Sequence, residues 1–221
     1  MLDFSQPGLA VFDMDSTLIR IECIDEIAAL AGCKPQVAAI TEAAMRGEVD
    51  FSASLQQRVA LLQGVEEATL VSIFSPPPLT PGAAELVHWF HQRGWKTAVV
   101  SGGFTWFAEQ LKQTIDLDAA AANQLEIVNG RLTGRVIAPI IDAQAKADHL
   151  IRLAKHWGIP LANTLAVGDG ANDIPMLETA AIGVAFQAKN RVKQHAQLAI
   201  DDGDLMAIAR YLEAQGIAWQ K

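Results

Sequence analysis

The stretch LAVFDMDST, residues 9 to 17, limits the fold more than any other part of the chain. Leu9 to Phe12 form an apolar run behind the turn signal Pro7-Gly8, which predicts a short strand buried on both faces of a parallel sheet. Asp13 then stands at the carboxyl end of that strand, where open α/β sheets build their sites. Asp15, Ser16 and Thr17 follow at once. The Asp-x-Asp spacing alone says little, since about one such triplet is expected by chance at ordinary Asp usage. It occurs three times here, and Asp116/Asp118 and Asp202/Asp204 follow no apolar run, so they read as solvated loop or helix-start residues.

After the first strand the apolar spacing becomes helical. Ile21, Ile24, Ile27, Ala28 and Ala31 stop at Gly32. Residues 35–46 follow, then Leu55, Val59 and Leu62 before Gly64, then 65–74, predicting four short helices in sequence. The proline-rich SPPPLTPG, residues 75 to 82, ends that block. Beyond it, helices are expected over 83–92, 104–114, 144–157, 173–179 and 205–215, alternating with strands over 95–100, 164–167 and 182–185. Asn129-Gly130 within LEIVNGRLTGRV signals a type I′ hairpin. The simplest arrangement is an α/β fold, a doubly wound parallel sheet with a small helical insertion after the first strand. The boundaries are then 18–79 for the insertion and 1–17 plus 80–221 for the core.

Of the 221 residues, 51% are hydrophobic and 19% charged, enough for a substantial interior. The formal net charge of −8 leaves no cationic footprint for nucleic acid or an anionic membrane, so a small-molecule partner is expected. Cys23 and Cys33 form no ligand pattern with the histidines. No leader and no membrane-length apolar run is visible, so the chain reads as cytoplasmic, a monomer or homodimer. His88 and His91, three apart, lack a third ligand and do not read as a metal pair.

Three further strand ends carry groups that Asp13 needs. Strand 95–100 runs into Ser101-Gly102-Gly103 ahead of a helix, an anion site or simply a Ser N-cap. Lys146 lies in the first turn of its helix, where a cation opposes the dipole, and a broken local rule points to function. TLAVGDGANDIPML passes from a strand into a glycine-rich turn holding Asp169 and Asp173, the latter alternatively a helix N-cap. Arg58 shares an otherwise apolar helix stripe with Leu55 and Leu62, where a guanidinium should have a carboxylate partner. Phe51 and Met45 read as cover for a bound ligand or as core.

This order resembles the haloacid dehalogenase (HAD) superfamily of phosphotransferases. Its signature DxDx[TS] is matched by Asp13-Met14-Asp15-Ser16-Thr17, its Ser/Thr by Ser101, its Lys by Lys146 and its GDGxxD by 168–173. DMDSTLIRIECIDEIA, MRGEVDFSASLQQRVALLQG, LTPGAAELV, VVSGGFTWFAE, LTGRV, DAQAKAD and GDGANDIPML together look like the phosphoserine phosphatase family. The resemblance implies Mg²⁺-dependent hydrolysis of O-phospho-L-serine through an aspartyl-phosphate, serving serine biosynthesis. In it Asp13 is the nucleophile and Asp15 the acid/base; Ser101, Gly102, Lys146 and Asn172 hold the phosphoryl group; Glu22 and Arg58 take the α-ammonium and α-carboxylate. The metal falls to Asp13, the Asp15 main-chain carbonyl and Asp169, with Asp173 in outer support. Lys146 is also expected to keep Asp13 ionised. The helical insertion becomes a cap that excludes water. The chain opens almost directly on its first strand, so control through the N-terminal regulatory domain of some members is not implied. Phosphoryl transfer to an alcohol such as homoserine uses the same residues. A receiver-type phosphoacceptor domain shares the Asp, Ser/Thr and Lys but lacks the insertion, the second Asp and the GDGxxD turn.

Overall fold

In the computed structural model, which describes residues 2–215, the apolar run forms strand β1, Leu9–Phe12. Ala10 and Phe12 belong to one buried apolar cluster and Leu9 and Val11 to another, so alternate side chains enter two separate cores. β1 lies between β2 (Lys96–Phe104) and β5 (Thr164–Gly168), parallel to both, with Phe12 opposite Val99 and Val167. β3 (Ala119–Val128) and β4 (Arg131–Ile137) extend the sheet beyond β2. On the other side β6 (Ile182–Phe186) and β7 (Leu198–Ile200) extend it beyond β5. The strand order therefore reverses direction at β1, and a crevice opens at the carboxyl ends of β1, β2 and β5.

Helices α4 (Ala83–His91), α5 (Thr105–Ile115) and α9 (Met206–Ala214) cover the Phe12 face with Phe90, Leu111 and Ile208. α6 (Ala143–His156), α7 (Ile174–Thr179) and the single turn α8 (Asn190–Lys193) cover the other face with Leu150, Met176 and Val192. Among the described residues no helix is long and apolar enough to cross a membrane.

Between β1 and α4 the chain forms α1 (Cys23–Leu30), α2 (Lys34–Met45), α3 (Phe51–Ala60) and a 3₁₀ stretch, Glu67–Ile73. The Asp50 carboxylate starts α3 by accepting from the Ala53 amide at 2.8 Å. The segments entering and leaving this block run side by side: Thr80 N donates to Leu18 O and Arg20 N to Pro78 O, each at 2.9 Å.

The structure departs from the sequence reading in particular places. The fourth helix of the insertion is 3₁₀. The helix expected from 104 starts at Thr105, because β2 continues through Ser101-Gly102-Gly103. Six strands are parallel, but β4 pairs antiparallel with β3 through the hairpin, whose Asn129 and Gly130 have φ of 51° and 71° as a type I′ turn requires. β3 was legible only at its hairpin end, since its first four residues are alanines with little strand preference.

Asp118 is not the solvated residue its sequence context suggests. It accepts from Lys96 Nζ at 2.6 Å, the Thr97 amide at 2.8 Å and His91 Nε2 at 3.1 Å, so His91 is a partner of Asp118 and not of His88. Asp116 is an exposed left-handed residue ending α5, and Asp204 pairs with Arg210 ahead of α9. Burial pushes the Asp118 carboxyl up, but Lys96, the Thr97 amide and His91 outweigh it and leave it below its usual value. A depressed native pKa gives stability that is present above the unfolded value near pH 4 and lost as pH falls through the native one. Asp118→Ala is therefore expected to cost about 1.5–3 kcal/mol at pH 7, lowering Tm by about 3–12 °C. Thermal melts should show the deficit shrinking in acid; an equal deficit at pH 7 and pH 3 overturns this account.

Candidate active site

Asp13 continues the β1 ladder by one residue, its amide donating to Val167 O at 2.9 Å, and this fixes its side chain at the mouth of the crevice. The chain then turns sharply. Thr17 N and Ile19 N both donate to Met14 O, and Ser16 takes a φ of 58°, a strained left-handed conformation of the kind found at functional sites. That turn sends Asp13 and Asp15 to different neighbours. The Asp15 carboxylate accepts from the Cys23 amide at 2.9 Å, in the first turn of α1 where the helix dipole favours an anion. A side chain at Gly103 would stand 2.4 Å from its other oxygen, so only glycine allows this approach. Thr17 is fully buried and its hydroxyl reaches Asp169 at 3.4 Å, while Ser16 Oγ donates to Glu22 at 2.7 Å.

Lys146 is fully buried, and its ammonium bonds the carboxylates of Asp13 and, at 2.6 Å, Asp173. Its awkward position in the first turn of α6 is explained by these two anions across the crevice. Asp173 is no simple N-cap: besides Lys146 it accepts from the Gly170 amide at 3.0 Å, bracing the turn after β5. One carboxylate oxygen each from Asp13, Asp169 and Asp173 converge within 4.8 Å of one another, a group able to hold a metal ion.

The electrostatics follow from that crowding. Burial, then Asp173, Asp169 and Asp15, push the Asp13 carboxyl well up against the opposing pull of Lys146. Asp169 is pushed up to about 6 by burial and Asp173, and Glu22 to about 7 by burial and Asp15. Burial also raises Asp15, against the Cys23 and Ser101 hydrogen bonds. Lys146 itself is raised by Asp13 and Asp173 despite its burial, so it stays charged. One ammonium thus faces several crowded carboxylates, and its charge is the main force drawing the Asp13 carboxyl down against burial and those neighbours.

Ser101 is buried, with the Gly103 amide donating to its Oγ at 2.8 Å. The Phe51 ring tip and the Asn172 amide lie 3.0 and 3.8 Å from where a side chain at Gly102 would begin, so both stand over the Ser-Gly loop. Met45, by contrast, is 70% exposed and so is not part of the core. Arg58 lies partly buried on α3. Its Nε donates to Ser54 O at 3.3 Å, and among the described residues no carboxylate comes within ion-pair distance. Burial lowers it while Asp25 and Glu22 oppose, leaving a partly buried cation with room for an anionic partner. Asn123 was not anticipated. It is buried in β3, its Nδ2 donating to Gly102 O at 2.8 Å and its Oδ1 accepting from the Ile141 amide at 2.7 Å.

The haloacid dehalogenase-like hydrolase family model matches residues 10–178. A phosphoserine phosphatase of Idiomarina loihiensis is 57% identical over 201 residues, 91% of this chain and 91% of that one. A phosphoserine phosphatase structure holding an analogue of the phospho-aspartyl intermediate superposes with a TM-score of 0.87 at 41% identity, covering 93% of this chain and 99% of the other. A substrate-bound phosphoserine phosphatase does so with a TM-score of 0.87 at 40% identity, covering 93% and 98%.

Proposed function

The chain belongs to the haloacid dehalogenase-like hydrolases, and from that premise we infer that it is an enzyme hydrolysing O-phosphoserine to serine and inorganic phosphate. The observation that carries this reading is the meeting of Asp13, Lys146, Asp169 and Asp173 at the strand tips. Asp15 stands apart on the α1 amide.

Asp13 and Asp169, both pushed upward by burial and by neighbouring negative charge, converge with Asp173 in a group that fits a small divalent cation, and hard oxygen donors beside a phosphate select Mg²⁺. Asp13, Asp169 and the Asp15 main-chain carbonyl would hold it, with Asp173 supporting from outside. Bound there, it supplies charge neutralisation for the phosphoryl oxygens. Asp13 attacks phosphorus in line, forming its own P–O bond as the bond to the serine oxygen breaks. The departing alkoxide takes a proton from Asp15, and the same carboxylate then receives one from the water that cleaves the aspartyl-phosphate. Ser101, the Gly102 amide and Lys146 donate to the equatorial oxygens, with Asn172 beside them. Glu22 takes the substrate ammonium, and Arg58 finds in the substrate carboxylate the partner it lacks in the protein.

Residues 18–79, which carry Glu22, Phe51 and Arg58, act in this reading as a cap on a core of 1–17 and 80–221. The paired crossings at Leu18/Thr80 and Arg20/Pro78 support that division, since they gather both connections at one edge.

The test is a phosphate-release screen over phosphoserine, phosphothreonine, phosphohomoserine and an aryl phosphate, with Mg²⁺ and with chelator. Homoserine is added in a parallel arm. Phosphoserine should lead, chelator should stop release, and homoserine should not divert the phosphoryl group. Arg58→Lys, losing the bidentate fork, should raise KM for phosphoserine about tenfold or more and leave the aryl phosphate nearly unaffected. Equal turnover of all four esters, unchanged by Arg58→Lys, rejects the assignment.

A further inference from the structure

We propose that Asn123 is a positioning residue that sets Ser101 as a hydrogen-bond donor to the phosphoryl group; this rests on the phosphatase reading above. β2 and β3 pair regularly up to Val100 opposite Ala121, and the pairing resumes only at Phe104 opposite Asn123. Ser101, Gly102 and Gly103 therefore bulge out of the ladder toward the crevice, and their main-chain groups lose the ladder partners they would otherwise have. The Asn123 side chain replaces one of them by donating to Gly102 O at 2.8 Å.

That bond does more than satisfy a stranded carbonyl. Gly102 O and Gly103 N–H are the two ends of one peptide unit, and the N–H donates to Ser101 Oγ at 2.8 Å. With its oxygen held by Asn123 the peptide plane cannot rotate, and polarisation along the chain strengthens the second bond. The Ser101 oxygen is thereby engaged as an acceptor, and its O–H is held to the role of donor, given to the Asp15 carboxylate in this structure and to the phosphoryl group once substrate is bound. Asn123 is itself locked, because its Oδ1 accepts from the Ile141 amide at 2.7 Å, next to the Asp142 that caps the Lys146 helix. Two bonds of opposite polarity explain why the residue is an amide: neither Asp nor a hydroxyl supplies a donor and an acceptor in that fork.

A double-mutant cycle with Ser101 separates this role from simple support of the fold. Asn123→Ala should lower kcat for phosphoserine about 10²-fold with little change in KM, since the loss falls on the transition state. In the Ser101→Ala background the same change should cost no more than about fivefold, because its route to the substrate is already gone. Asn123→Asp, which keeps the acceptor for Ile141 but sets an acceptor against Gly102 O, should lose as much as Asn123→Ala and serves if the alanine variant does not fold. The proposal is overturned if either folded variant keeps kcat within about threefold of the parent, or if the Asn123 and Ser101 losses multiply to within about twofold. The cycle is run with an aryl phosphate as well. A parent that hydrolyses the aryl ester but not phosphoserine would sink the substrate reading and still leave the role of Asn123 decided.

Discussion

Asp13→Asn is expected to reduce phosphoserine turnover by more than about 10⁴-fold while leaving the fold in place. The amide has the shape of the carboxylate but is a far weaker nucleophile toward phosphorus, and the neighbouring carboxylates have other partners. Asp15 is held on the Cys23 amide, and Asp173 is held by Lys146 and the Gly170 amide. The fold should survive because the change is electrostatically nearly balanced. Lys146 gives up one anion and keeps Asp173, and the remaining carboxylates lose a like-charged neighbour. Single-turnover phosphate release measures the first effect and thermal unfolding the second. Activity above about one per cent of the parent, with label from phosphoserine still trapped on the protein, removes Asp13 from the role of nucleophile.

Lys146→Met should have the opposite profile, a large loss of stability as well as of activity. The ammonium is fully buried between Asp13 and Asp173, and a methionine of similar length fills the space without charge. Deleting one member of a buried ion network leaves uncompensated charge and costs about 3–5 kcal/mol. At this chain length that lowers Tm by about 6–20 °C in chelator. Mg²⁺ at a hundredfold excess over its Kd should restore about 2.7 kcal/mol if it binds the native state alone.

The pH dependence has a definite sign. Without Lys146, Asp13 loses the main force pulling its carboxyl down, and burial and its neighbours hold it further above its unfolded value. The native state then binds more protons than the unfolded one, so the variant's deficit should shrink as pH falls from 8 toward 5. Melts in chelator across that range check it. A deficit that is constant with pH, or a variant as stable as the parent, shows that Lys146 does not compensate the Asp13 charge.

What was legible in the sequence is uneven, and the unevenness has physical causes. β1, β5 and β6 announce themselves because strands buried on both faces are uniformly apolar, and the hairpin because Asn-Gly suits positive φ. The alanines opening β3 and the three-residue β7 carry no such mark, and tertiary pairing alone makes them strands. Asp13, Asp15, Asp169 and Asp173 stand out because each sits at a strand end or in a glycine turn. Lys146 stands out because it opposes its own helix dipole. Asp118 was misread because its partners, Lys96, the Thr97 amide and His91, lie 21 to 27 residues away. Arg58 was read as needing a carboxylate, but which group meets it depends on how α3 lies over the crevice. Asn123 was missed altogether, since both its partners are main-chain atoms, and main-chain atoms are the same whatever the residue type.

By itself, then, the sequence determined what local chemistry dictates: apolar runs that become buried strands, turns that tolerate positive φ, and acidic residues placed by covalent adjacency at strand tips. Only the tertiary structure decided which of those groups meet, how far each is withdrawn from water, and so which carboxylates are pushed up and which cation offsets them. The reason is that burial and charge coupling depend on distances between atoms far apart along the chain, and on main-chain donors and acceptors that every residue shares.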